Sequence, residues 1–304
     1  MSLPTRTLGR TGLEVTTIAY GAMELRGAPL AREIEDADVG RLLNTVLDSG
    51  ITLIDTSIDY GLAEERIGRH LAHRRDEYVL ATKCGCQLVA DPNSTRGVGP
   101  HDYSRANLVA GLEQSLRRLD TDHVDVLQVH LSPSVDVLAA DDVIATLREF
   151  QEQGTVRFLG MSGTLPHLEQ HILMDVFDVF QIPFSVVQPE HSDAIAAAAA
   201  AGAGVIVRGG AARGVPSGGQ RPVDRNPEMR TVWEQAGLAD LLDGMSPMEF
   251  TLRHTLSHPG MTTNIVGTLN LEHLAQNIDA TLKGPLDADL IAEADRRVAQ
   301  ALER

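Results

Sequence analysis

The sequence predicts an α/β fold: a closed (β/α)8 TIM barrel, with a β-hairpin ahead of its first strand and extra helices at its C-terminal end. Three observations carry this. Strand-like and helix-like stretches alternate about eight times, with no two strands in succession after the opening hairpin, and such alternation builds a parallel sheet. That many units within 304 residues favour closure over an open doubly wound sheet. The first strand-to-helix turn also lacks the G-x-G-x-x-G of an open dinucleotide-binding sheet. No longer repeat and no linker interrupts the pattern, so residues 1–304 are read as one domain.

Taken in order, TRTLGRTGLEVT at residues 5–16 reads as two short strands around a Gly9-Arg-Thr-Gly12 turn. Residues 18–21 are the first buried strand. A helix over 35–49 places Val39, Leu42, Leu43, Val46 and Leu47 on one face, and Gly50 closes its C-terminus. GITLIDTSIDYGLAEERIG follows: a strand over 51–54, then Asp55, Tyr60 and Gly61, then a helix over 62–69 with Glu64 and Glu65 in its first turn. A strand over 78–82 precedes Lys83. Residues 84–103 are a long Gly/Pro/Asn loop of the kind that tends to carry function.

Ser104 caps a helix to Leu119, with Leu108, Leu112, Leu116 and Leu119 inward. A strand over 124–129 precedes His130. Helix 141–153, strand 156–160, helix 166–174 and strand 179–182 continue the alternation. An alanine-rich helix over 192–201 leads to the seventh strand at 204–207. Residues 208–230 are Gly/Pro-rich and carry five arginines, a local basic patch in an acidic chain. Helix 247–257, strand 264–266 and helices over 271–282 and 287–302 complete the chain.

Asp55, Lys83 and His130 each stand just past a predicted strand, and Tyr60 lies in a loop on the same rim. A barrel puts its chemistry there. Singly, each has an ordinary explanation: a turn residue, a solvated lysine or tyrosine, a packed histidine. Together they form a proton-transfer set. A free phenol titrates near ~10 and exchanges protons poorly at neutral pH. An ammonium beside it favours the phenolate, which Lys83 can do while Asp55 holds Lys83 charged and in place. His130 can donate a hydrogen bond to a substrate oxygen. The set delivers a proton to a carbonyl oxygen but supplies no electrons, so a hydride must come from a cofactor.

The formal charge of −16 argues against nucleic acid and against an anionic membrane as partner. Only two cysteines occur, Cys84 and Cys86, too close in sequence to pair readily, which points to a reducing cytoplasm. The start, MSLPTRTLGR, lacks the apolar core of a signal peptide, and no apolar run is long enough to span a bilayer.

The ordered set of motifs resembles the aldo-keto reductase superfamily, close to its bacterial branch, over nearly the whole chain. RTLGRTGLEVTTIAYGAM is similar to its opening hairpin and first strand, GITLIDTSIDYGLAEERIG to its Asp/Tyr segment, YVLATKCG to its Lys strand and VDVLQVH to its His strand. VRFLGMSG, DVFQIPFSVVQ, GAGVIVRGGAARG and NIVGTLNLEHLAQN resemble its cofactor segments. The resemblance implies that Asp55, Tyr60, Lys83 and His130 are the catalytic tetrad, Tyr60 being the general acid in reduction. It implies an extended NADP(H) and a small carbonyl or sugar substrate; NAD(H), favoured by a departure from the family pattern, is the other possible cofactor. Gly21, Ala22, Met23 and Asp55 would then lie along the nicotinamide ribose. Ser162, Gly163 and Gln181 would meet the carboxamide. Arg208, Gly209, Ala211 and Gly214 would line the nicotinamide and pyrophosphate. Gly267, Thr268, Asn270, His273, Gln276 and Asn277 would surround the adenosine.

Two positions and one segment depart from the family pattern. Gly163 stands where Asn is common, and Arg208 where an aromatic ring often stacks on the nicotinamide, although a guanidinium plane can stack as well. Residues 264–277 contain neither Lys nor Arg for a 2′-phosphate, only His273. That gives weight to an alternative, an NAD-dependent sugar or polyol dehydrogenase working in the oxidising direction. A non-catalytic nucleotide-sensing barrel is a third reading, opposed by the intact tetrad. Cys84-Gly-Cys86 has no partner ligands nearby in sequence, so no metal is expected. His254 and His258 lack the Glu of a zinc H-E-x-x-H and read as surface or packing residues, as do His70 and His73. Arg96 and His101 are candidates for the substrate pocket.

Overall fold

A computed structural model of the protein describes residues 2–28, 32–88, 101–217 and 227–303. Strands β1 (Thr5–Thr7) and β2 (Glu14–Thr16) form an antiparallel hairpin. Eight parallel strands follow: β3 (Ile18–Gly21), β4 (Leu53–Asp55), β5 (Val79–Cys84), β6 (Val124–Val129), β7 (Val156–Ser162), β8 (Val179–Pro183), β9 (Gly204–Arg208) and β10 (Thr263–Val266). Each is hydrogen-bonded to the next, and β10 closes on β3, so the barrel is complete. The helices between them lie outside the barrel and bury one face each. Helix Asp36–Asp48, for example, buries Val39, Leu42, Leu43, Val46 and Leu47. No helix among the described residues is long and apolar enough to cross a membrane.

The hairpin forms the floor. Leu8 and Val15 pack with the interior residues Ala19, Leu53, Val79, Ala81, Val126, Val179 and Ile206. Gly9 makes this docking possible. It adopts φ +53°, and a Cβ there would lie 2.1 Å from the backbone nitrogen of Gly204. Side chains alternate along a strand, so two residues on from an interior apolar position the chain faces inward again. That step brings Gly21, Asp55, Lys83, Gln128, Gln181 and Arg208 to the C-terminal mouth of the barrel.

Strand ends differ from the sequence expectation in a consistent way. β4 begins at Leu53 because the Ile51 N–H closes the preceding helix on Val46 O, 3.3 Å away. β5 and β7 run on to Cys84 and Ser162, so Lys83 and Ser162 lie within strands and not after them. The predicted 141–153 helix is Val143–Glu152, and a short helix, Val135–Ala140, precedes it, capped by Ser134. Within the Gly/Pro/Arg-rich stretch a second unforeseen helix, Pro227–Gln235, anchors Trp233 against Phe250, with ring centroids 6.1 Å apart. Arg96, residues 89–100 of the long loop and residues 218–226 of the arginine-rich stretch fall outside the described residues.

Candidate active site

Asp55 ends β4, and Lys83 is the penultimate residue of β5. Lys83 Nζ donates to Asp55 Oδ2 and to Thr56 O, both at 2.8 Å. The other carboxylate oxygen, Asp55 Oδ1, accepts from Gln128 Nε2 at 2.9 Å and from Gln181 Nε2 at 2.7 Å. This buried ion pair is therefore fully hydrogen-bonded on its acidic side, the condition under which burying one is tolerable. Lys83 Nζ also lies 5.0 Å from the centre of the Tyr60 ring. Tyr60 is half-buried, in the turn that Gly61 completes at φ 51°. A Cβ on Gly61 would meet Arg26 O at 2.5 Å, so glycine is required there.

Burial pushes the Tyr60 phenol above its ordinary value, and Asp55 and Asp59 add to that rise. Lys83 and Arg208 pull the other way without reversing it. The sequence reading expected Lys83 to lower this pKa. The lowering contribution is present, but Asp55 offsets much of the ammonium charge and desolvation prevails. For Lys83, burial opposes the charge, yet Asp55 and Tyr60 outweigh it and the ammonium is held above its usual range. At neutral pH the mouth therefore holds a protonated phenol beside a fixed cation.

His130 follows β6 and is buried, 8% exposed. Burial first, then the charges of Lys83, His101 and Arg208, hold its pKa well below the ordinary value, so the ring is neutral at pH 7. Its Nδ1 is approached by Cys86 Sγ and His101 Nε2, each at 3.1 Å, and by Asp59 Oδ2 at 3.8 Å. The phenol of Tyr103 donates to His130 O. All three contacts on the ring address Nδ1 and none of them Nε2. The His130 N–H donates to Cys84 O at 3.1 Å, next to Lys83, so the C-terminal ends of the adjacent strands β4, β5 and β6 bring Asp55, Tyr60, Lys83 and His130 to one mouth.

The model of the Aldo/keto reductase family matches residues 17–298. The chain belongs to this family. L-galactose dehydrogenase of Arabidopsis thaliana is 26% identical over 291 residues, 90% of this chain and 87% of the relative. L-glyceraldehyde 3-phosphate reductase of Escherichia coli O157:H7 is 24% identical over 331 residues, 97% of this chain and 92% of the relative. The solved aldo-keto reductase AKR11C1 from Bacillus halodurans, in its holo form, superposes with a TM-score of 0.81 at 24% identity, covering 98% of this chain and 96% of that one, which establishes the shared fold. Family membership makes this protein an oxidoreductase of carbonyl substrates, in a family that generally uses nicotinamide cofactors.

The positions matched to the family's cofactor segments fit such a group in part by clear geometry. Gly209 and Gly214 adopt φ 74° and 78°. Among the described residues, nothing lies within 4 Å of where a Cβ would stand at either. Ser162 Oγ donates to Gln181 Oε1 at 3.3 Å, and the two residues are register partners on β7 and β8. Ala22 is buried, Met23 is exposed and Ala211 is half-buried. Other positions have structural duties. A Cβ on Gly21 would meet the Ile265 side chain at 2.4 Å, and one on Gly267 would lie 3.0 Å from Gly21 O. A Cβ on Gly163 would press on Leu168 at 2.8 Å, so an Asn there needs that leucine to move.

Asn270 Oδ1 accepts from Glu272 N at 2.8 Å and caps helix Leu271–Leu282, while Thr268 Oγ1 accepts from Asn270 N at 3.0 Å. His273 and Gln276 are exposed and Asn277 half-buried on that helix. A cavity of about 860 Å³ opens between Asn270 and Leu62, and its Arg41, Arg66 and Arg69 are engaged with Asp38, Leu25 O and Asp36. His254 and His258 are packing residues, bound to Asp295 and Ser192.

Sequence reasoning missed Gln128, Asp59 and Thr56. Gln128 carried a readable signal, a polar residue two positions before His130 and so on the same face of β6. Gly160 makes room for it, since a Cβ there would lie 2.8 Å from Gln128 Cγ. Asp59 and Thr56 carried none, because their roles depend on the path of the loop after β4.

Proposed function

We propose that the protein reduces the carbonyl of a small aldehyde, ketone or sugar to the alcohol, with Tyr60 delivering the proton to the carbonyl oxygen. The observation that carries this is the Asp55–Lys83 pair at 2.8 Å with the Tyr60 ring 5.0 Å from the same ammonium. Lys83 steadies the charge that develops on the phenol oxygen as its proton leaves, and Asp55 keeps Lys83 charged and aimed. Neutral His130 donates from Nε2 to the substrate oxygen and orients it toward Tyr60. Hydride is the chemistry that a bound reduced nicotinamide supplies. Ser162 and Gln181 would hold its carboxamide, and the backbone of Gly209, Ala211 and Gly214 its pyrophosphate.

The reducing direction agrees with a phenol that is protonated at neutral pH. The relatives' names, one a dehydrogenase and one a reductase, do not choose between directions. NADP(H) is the cofactor the resemblance carries over. NAD(H) is favoured by one observation: residues 264–277 hold no Lys or Arg, and His273 is exposed. The test is Tyr60→Phe. Carbonyl turnover should fall by at least about a hundredfold, the scale of a lost general acid. Binding of NADPH and NADH, followed by fluorescence titration, should stay unchanged. Turnover close to that of the wild type would remove Tyr60 from its role as acid.

A further inference from the structure

Cys86 has no ligand partners near it in sequence, but the fold assembles them. Asp59, Cys86, His101 and His130 each present one atom to a common point, and the four atoms lie within 4.8 Å of one another. Cys86 Sγ and His101 Nε2 stand 3.1 Å from His130 Nδ1, and Asp59 Oδ2 stands 3.8 Å from it. A tetrahedral zinc with bonds of about 2.0–2.3 Å requires edges of about 3.3–3.6 Å. The three edges at Nδ1 differ from that by about half an ångström or less, and the edges among the other three atoms, all within 4.8 Å, shorten by up to about 1.5 Å as the side chains close on the ion.

A second observation points the same way. The Asp59 side chain is only 5% exposed, and among the described residues its buried Oδ2 has no hydrogen-bond partner. Its other oxygen accepts from Ser57 Oγ, which fixes the carboxylate with Oδ2 turned toward the cluster. A buried carboxylate oxygen lacking a donor is costly unless a cation meets it. The geometry is not that of a cysteine nucleophile with a histidine base. Such a relay uses the two ring nitrogens separately, whereas here thiol, carboxylate and second imidazole all address Nδ1.

We propose that Asp59, Cys86, His101 and His130 bind one zinc-type divalent cation. One sulfur, two imidazole nitrogens and one carboxylate oxygen are a zinc donor set, and they exclude calcium and magnesium, which take oxygen. Four protein ligands close the coordination sphere, as in a structural zinc site. Cys86 and His101 come from the two ends of the loop after β5, so the ion ties the base of that loop together. It also fixes the His130 ring through Nδ1 and leaves Nε2 to the pocket. The site goes beyond the reductase reading and does not depend on it.

The test uses the full chain freed of metal by chelator and then titrated with Zn2+, with Co2+ as spectroscopic probe. The wild type should bind one equivalent of Zn2+, and the Co2+ form should show tetrahedral visible bands and a thiolate-to-metal charge-transfer band. Cys86→Ser should abolish the charge-transfer band. His101→Ala should keep that band. Both substitutions should weaken Zn2+ binding at least about tenfold, and circular dichroism verifies that each variant is folded. If Cys86→Ser does not fold, the His101→Ala result decides. No saturable binding to the wild type, or undiminished affinity in a folded variant, overturns the site.

Discussion

Asp55, Lys83 and Tyr60 share one cationic charge, and how they share it governs the chemistry. Asp55 takes the short contact at 2.8 Å, and the phenol sits at longer range. Burial then keeps Tyr60 above its ordinary value, with Lys83 limiting the rise. An acid works only in its protonated form, so carbonyl reduction should hold steady through neutral pH and decline as pH climbs past the raised phenol pKa. Alcohol oxidation, which needs the phenolate, should rise over that same alkaline range. His130 adds no limb near neutrality, since it is uncharged there and charges only well below its usual range. Rate profiles in both directions check this. A reductive rate already falling with pH between about 6 and 8, where an ordinary phenol is still protonated, would contradict it. At this scale the four residues were legible because rare polar side chains punctuated apolar strands. The sign of the Tyr60 shift was not legible, since it depends on burial, which only the closed barrel creates.

Strands and helices place these residues by register. Lys83 pairs across with Gln128, and Gln128 with Gly160, so an amide on β6 can reach Asp55 only because β7 carries no side chain beside it. Gly160→Ala tests this. The new Cβ would stand 2.8 Å from Gln128 Cγ and 3.3 Å from Val179 O. The flexible amide must yield before the backbone does. The expected cost is about 1–3 kcal/mol of stability in denaturant unfolding, as for other overpacked interiors. A drop in turnover should accompany it, because Asp55 loses one of its two amide donors. Periodicity made most elements readable: helix Leu271–Leu282 and strand β6 match expectation residue for residue. Helices Val135–Ala140 and Pro227–Gln235 escaped because the first is too short to show a period and the second lies in a stretch whose glycines and prolines read as loop.

Across the whole molecule the two ends of the barrel divide the labour. The mouth gathers charge, while the hairpin seals the other end with Leu8, which is fully buried among interior residues of six strands. The sequence showed the hairpin but not its duty, because a plug is defined by what it fills. A floor and a mouth joined by rigid strands should respond separately to mutation. Leu8→Ala should cost about 2–5 kcal/mol of stability, the range for emptying a buried leucine site. The Asp55–Lys83–Tyr60 geometry lies at the far ends of the strands, so turnover per folded molecule should stay near that of the wild type at low temperature. Urea unfolding monitored by circular dichroism, run beside an activity assay, separates the two quantities. If stability and turnover fall together well below the unfolding transition, the strands do not insulate the mouth from the floor. The barrel would then be transmitting the packing defect along its length.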